Sequence, residues 1–273
     1  MTPKALILRT AGTNCDRELA HAFRLAGAEP VTLHLNRLIE QPARVETFDI
    51  LAIPGGFSYG DDIAAGRIFA HRLRSRLLQP LLDAIECGVP IIGICNGFQV
   101  LVKLGLLPDP ADPRQQLTLA DNTSGRFVDR WVGLTAEAES PCIWTRGLDR
   151  FTLPVAHGEG RLAAAEPGVI DALAERGQLP LRYQAEDDPN GSIGHVAGVC
   201  DPRGLILGLM PHPERYVDPT QHPQWTRPPA PPVTPATPVT TTPGDVAATP
   251  AGLRFFENAV AHVREHARAA SKA

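Results

Sequence analysis

Apolar and polar positions alternate in short blocks along the first hundred residues. Residues 5–8 are an apolar run cut off by Arg9 and the polar stretch that follows, which reads as a first strand and loop. Leu19, Ala22, Phe23 and Ala26 then recur at helical spacing, with Asn14 or Asp16 as the expected cap and Gly27 as the stop. Residues 31–35 and 49–53 predict the next two strands. Leu73, Leu77, Leu81 and Ile85 predict an amphipathic helix, kinked or divided near Pro80. Residues 91–94 predict a buried strand, and the spacing turns helical from Gly97 to Leu104. Strands alternating with helices predict an α/β domain with a mainly parallel central sheet, whose sites lie beyond the carboxyl ends of the strands.

Farther on, residues 108–114 form a proline-broken loop, and 126–135 and 151–155 alternate well enough for strands. His157 follows in the small-residue loop Ala156-His157-Gly158-Glu159-Gly160, where by itself it reads as a solvated or hydrogen-bonded residue. Residues 195–199 and 205–210 flank Asp201-Pro202-Arg203-Gly204, a type I turn sequence, and predict a hairpin. Between about 219 and 250 the chain is dense in Pro, Thr and Ala and offers almost nothing to bury, the composition of a disordered, linker-like insertion. Leu253, Phe256, Val260 and Val263 restore a helical stripe, so a helix over about 252–269 is expected to pack back on the core. Residues 1–273 are therefore read as one domain with a surface excursion.

Composition narrows the partners. The formal charge is −4 over 273 residues, with no basic stripe, which disfavours nucleic acid. Five cysteines form no Cys-x-x-Cys pair, which fits a reducing compartment. No leader-like h-region is visible, and no run approaches the ~18 apolar residues of a membrane span. The expectation is a soluble cytoplasmic protein that engages neither membrane nor nucleic acid.

The candidate chemistry sits at strand exits. Cys95 lies between a strand and a helix, with Gly93 and Gly97 two positions away on each side. That is the layout of a nucleophile elbow carrying sulfur, and equally of a core cysteine at a strand end. Gly55-Gly56 leaves the preceding strand and can supply an oxyanion-binding N–H or simply a tight turn; no Gly-Lys-Ser/Thr follows to make it a phosphate loop. His212 is held between Pro211 and Pro213, and an extended backbone would put Glu214 on its face, as an orienting carboxylate requires. A salt bridge between Glu214 and Arg215 is the competing account. No metal-binding spacing such as His-Glu-x-x-His is present, so no metal is expected.

Taken together, the runs Gly55-Gly56-Phe57-Ser58-Tyr59-Gly60-Asp61, Gly93-Ile94-Cys95-Asn96-Gly97-Phe98-Gln99, Ala156-His157-Gly158-Glu159-Gly160, Pro189-Asn190-Gly191-Ser192 and Gly208-Leu209-Met210-Pro211-His212-Pro213-Glu214-Arg215 resemble the class I, or triad, glutamine amidotransferases. Within them they resemble the branch that serves phosphoribosylformylglycinamidine synthase. The resemblance covers about residues 4–216 and resumes at the final helix. It implies a three-layer, flavodoxin-like α/β fold and a triad of Cys95, His212 and Glu214. It further implies oxyanion donors at the Gly56 and Asn96 backbone, and glutamine contacts from Gln99, His157 and Gly158. It also implies no cofactor in this chain. L-glutamine would be the substrate, ATP and Mg would be used by a large synthetase partner, and a small bridging subunit would join them. The Pro/Thr-rich insertion departs from the family pattern.

Overall fold

The runs Ile50–Ile53, Ile91–Ile94 and Ile206–Leu209 are buried along their whole length, as strands must be when both faces of their sheet are covered. The computed structural model describes residues 1–226 and 249–270. In chain order the first half contains β1 (Lys4–Arg9), α1 (Asp16–Leu25), β2 (Glu29–His34), α2 (Leu35–Glu40), β3 (Ile50–Ile53), α3 (Arg67–Arg76), α4 (Leu78–Glu86), β4 (Ile91–Ile94) and α5 (Asn96–Leu104). The second half contains β5 (Leu117–Ala120), β6 (Val128–Ala136), β7 (Arg150–His157), β8 (Arg161–Ala164), α6 (Val169–Glu175), β9 (Leu181–Tyr183), β10 (Val196–Cys200), β11 (Ile206–Leu209) and α7 (Ala251–Ala270).

The main sheet has nine strands in the order β2-β1-β3-β4-β11-β10-β9-β6-β7, and β5 pairs with β8 in a separate ribbon. From β2 to β11 every pairing is parallel; from β11 onward every pairing is antiparallel. Within this sheet all strands but β10 and β6 therefore share one direction. The expected α/β fold with a mostly parallel sheet is what the chain adopts. Right-handed crossovers put α1 on one face and the helices that follow β2, β3 and β4 on the other. Contacts agree, since α7 packs on α1 while α3 packs on both α4 and α5. Phe256 of α7 meets Phe23 of α1 edge-on at 5.0 Å between ring centroids, so the last helix joins the central core.

The strand order reverses between β1 and β3, and their carboxyl ends open a crevice there, the usual ligand position in such sheets. Local structure departs from expectation in several places. Neither Asn14 nor Asp16 caps α1: Cys15 holds the cap position and its side chain makes no capping bond to the helix, while Asn14 N–H and Cys15 N–H donate to Gly55 O at 3.4 and 3.3 Å and tie that turn to the β3 exit. The expected kinked helix is two helices broken at Leu77, and Pro80 falls in the first turn of α4, where a missing N–H costs nothing. The strand expected over 151–155 runs on to His157, so that residue ends β7 and is buried. The hairpin of β10 and β11 forms as expected.

The insertion expected from 219 begins with ordered structure. Asp218 caps a 3-10 turn over Pro219–Gln221, and His222 meets the Trp131 ring at 4.6 Å. The rest of that Pro/Thr-rich stretch, residues 227–248, lies outside the described residues. Among the described residues no helix is long and apolar enough to cross a membrane.

Candidate active site

Cys95 occupies the turn from β4 into α5 with φ 53° and ψ −106°, a left-handed conformation that a non-glycine residue holds only under constraint. Its neighbours supply the constraint. Cys95 N–H donates to Leu209 O at 2.8 Å, tying the turn to the end of β11. A side chain at Gly97 would overlap the Ile53 carbonyl, and a Cβ at Gly93 would come within 2.6 Å of the Gly97 oxygen. The two glycines flanking the cysteine thus let α5 descend onto β3 and β4 with nothing between.

The β11 exit delivers His212. Its backbone N–H donates to Pro154 O at 2.8 Å, and Pro213–Arg215 then form a 3-10 turn in place of the expected extended segment. That turn still brings Glu214 onto the imidazole, with Oε1 2.7 Å from Nδ1 and both side chains almost wholly buried. Glu214 does not bridge to Arg215, whose guanidinium reaches Glu18 Oε2 at 3.3 Å and Cys15 Sγ at 3.2 Å. Burial alone would depress the His212 pKa, but the Glu214 carboxylate and the Cys95 and Cys15 thiols hold it well above the ordinary value. His212 Nε2 and Glu214 Oε2 are buried without a hydrogen-bond partner among the described residues.

Gly55 brings these parts together. A Cβ there would stand 2.9 Å from His212 Cε1, 3.1 Å from Cys15 Sγ and 3.5 Å from Cys95 Cβ, so only glycine lets the cysteine and histidine loops converge. Gly56 and Cys95 line the same cleft of about 380 Å³. Among the described residues nothing accepts from the N–H of Gly56 or of Asn96, and both lie within one residue of the Gly55/Cys95 contact.

The remaining expected residues are also here. Gln99, one turn into α5, accepts from Asn96 Nδ2 at 2.9 Å and donates its Nε2 to Glu159 O at 2.6 Å. Asn96 Nδ2 also reaches Asp61 Oδ1 at 3.3 Å, and its Oδ1 accepts from Ser58 N–H at 3.4 Å. His157 and Gly158 form the opposite wall. Cys95 Sγ faces them, donating to Ala156 O at 3.7 Å. Burial, together with the neighbouring His212 charge, pushes the His157 pKa down to about 4, and Asn122 Oδ1 lies 3.1 Å from its Nδ1.

Sequence reasoning missed Asn14, Cys15 and Arg215, which line the cleft beside His212. The signal was available: Asn14 and Cys15 leave β1, another carboxyl end of the same parallel block. Cys15 Sγ donates to Asn14 Oδ1 at 3.1 Å, and burial raises its pKa. Donor atoms of Cys15, His212 and Glu214 lie within 4.8 Å of one another. The Arg215 guanidinium, already bonded to that sulfur, puts a fixed positive charge where a cation would approach.

Comparison with known proteins follows the same lines. The model of the CobB/CobQ-like glutamine amidotransferase domain matches residues 2–263. The phosphoribosylformylglycinamidine synthase subunit PurQ of Dehalococcoides mccartyi is 48% identical over 229 residues, covering 81% of this chain and 89% of that protein. The subunit of the same name from Treponema denticola is 40% identical over 242 residues, covering 80% and 89%. Among solved structures, PurLQS from Thermotoga maritima superposes with a TM-score of 0.70 at 28% identity, covering 96% of this chain and all of that one.

Proposed function

The chain belongs to the CobB/CobQ-like glutamine amidotransferase family and, within it, to the PurQ subunits of phosphoribosylformylglycinamidine synthase, and from that premise we propose how its cleft works. The enzyme hydrolyses L-glutamine to glutamate and ammonia, and the ammonia serves the conversion of formylglycinamide ribonucleotide to its amidine in purine biosynthesis. The buried His212–Glu214 pair, with Nε2 free beside a cysteine on a constrained turn, is the observation that carries this reading.

His212 Nε2 takes the proton of the Cys95 thiol, and Glu214 fixes the tautomer through Nδ1 and balances the imidazolium that forms. The thiolate attacks the carboxamide carbon. Negative charge that develops on the carbonyl oxygen is met by the N–H groups of Gly56 and Asn96, each worth roughly 2.7 to 4 kcal/mol in the barrier. The side-chain bonds from Asn96 to Asp61 and Gln99 support that donor by fixing the first turn of α5. His212 then returns its proton to the departing nitrogen, ammonia leaves, and a γ-glutamyl thioester remains on Cys95. Water deprotonated by His212 hydrolyses it. Gln99 and the His157-Gly158 wall position the substrate.

The synthetase subunit PurL, named with PurQ in the Thermotoga maritima complex, is the expected partner. ATP and Mg are used there, this chain needs no cofactor or metal of its own, and a small bridging subunit completes the assembly. The test is Cys95→Ala in the reconstituted complex. Glutamine-dependent amidine synthesis should be lost while ammonium-dependent synthesis persists; retained use of glutamine would overturn the assignment.

A further inference from the structure

Across Glu159 from the cleft lies a second concavity, of about 440 Å³. Its floor comes from α3 and α5 and its rim from β5. Arg67, His71 and Arg74 follow one face of α3 at helical spacing, and Lys103 enters from α5. Among the described residues Glu159 is the single acidic group in the lining. The Arg74 guanidinium is fixed at the edge by a 2.6 Å bond to Leu104 O. The side chains of Arg67, His71 and Lys103 make no hydrogen bond or ion pair with any described residue. Lys103 is half-buried, and burial pulls its pKa down, with the Glu159 carboxylate and, more weakly, that of Asp61 acting in the opposite direction and Arg67 adding to the depression. In a chain of net charge −4, unpaired cations gathered around a partly desolvated lysine repel one another. A bound anion relieves that repulsion.

We propose that this groove binds a phosphate group, as inorganic phosphate or as a phosphate monoester, through Arg67, Arg74 and Lys103, and that Glu159 links its occupancy to the glutamine cleft. A multi-oxygen dianion can engage two guanidinium groups and an ammonium at once, whereas one carboxylate would leave part of the set unpaired. Thr118 and Gln115 add neutral polar groups to the rim, and the volume leaves room for the organic part of an ester. Glu159 lines both cavities, and its backbone oxygen holds Gln99 Nε2 at 2.6 Å. An anion on Lys103 removes the local cation that attracts the Glu159 carboxylate, and the segment bonded to Gln99 shifts with it. The linkage, though not the binding, rests on the glutaminase reading.

Calorimetric titration of the full chain with inorganic phosphate and, separately, with AMP tests the site. Saturable binding is expected, weakened about tenfold or more by Lys103→Met and by Arg67→Ala and reduced by added salt. AMP binding about tenfold tighter than phosphate identifies the ester as the ligand, and equal affinity identifies inorganic phosphate. No saturable binding of either up to about 10 mM, or binding unchanged in both variants, overturns the site. If neither ligand binds and Lys103→Met instead weakens assembly with the synthetase, the groove is a protein docking surface and the proposal falls. In the assembled complex, the ligand should shift the KM for glutamine in the unsubstituted protein and not in Lys103→Met; an unmoved KM removes the linkage and leaves the site. Because titration needs no turnover, failure of the glutaminase reading would be visible separately.

Discussion

Two histidine-bearing segments face each other across the cleft, and they treat the same side chain in opposite ways. His212 and His157 are both buried, and in both Nε2 has no partner among the described residues. What differs is the group at Nδ1: a carboxylate oxygen of Glu214 at 2.7 Å for His212, an amide oxygen of Asn122 at 3.1 Å for His157. Burial pulls both pKa values down, and at His212 the Glu214 carboxylate, joined by the Cys95 and Cys15 thiols, reverses it. Partner charge, more than depth, separates a residue that can hold a proton during turnover from one that stays neutral at pH ~7.

Glu214→Gln gives His212 the same kind of partner as His157 and should have the largest effect. Glutamine turnover is expected to fall by about 10² to 10⁴-fold, with ammonium-dependent synthesis in the complex intact. Turnover within a factor of about three of the unsubstituted enzyme would show that the carboxylate is not what distinguishes the two segments.

A second effect should appear in stability. An unfolded imidazole titrates near ~6.5, and folded His157 near about 4. Between those values the unfolded chain binds more protons, so stability falls as pH drops from ~6.5 to about 4 and levels off below, a loss of about 3 kcal/mol from this group. Melting curves across that window should show a shallower acid slope in His157→Asn, and an equal slope would mean that His157 is not held neutral. The smallest effect is expected for Asn122→Asp. A carboxylate at Nδ1 should raise the His157 pKa, readable by NMR titration, while turnover changes by no more than about tenfold because His157 is assigned to positioning.

Much of the framework was legible along the chain. The four-residue apolar runs, the glycines around Cys95 and the prolines around His212 are local signals, and strand direction followed from their alternation with helices. Other features were hidden because their cause lies far away in sequence. The division at Leu77, the short ribbon of β5 and β8, and the ordered turn over Pro219–Gln221 depend on what each segment packs against. His157 looked like a loop residue because its small neighbours suggest a loop, yet pairing with β6 extends the strand through it.

By itself, then, the sequence determined the alternation of strands and helices through the first hundred residues, the strand-to-helix turn at Cys95 and the set of residue types able to activate a thiol. Backbone propensity and hydrophobic periodicity are local properties that a chain carries wherever it goes. Only the tertiary structure decided that Glu214 serves His212 and not Arg215, that Cys15 joins the same cleft, and that Arg67, Arg74 and Lys103 share a groove. Those outcomes depend on distances between residues far apart along the chain, and on the charge and burial that each side chain meets only after the sheet has closed around it.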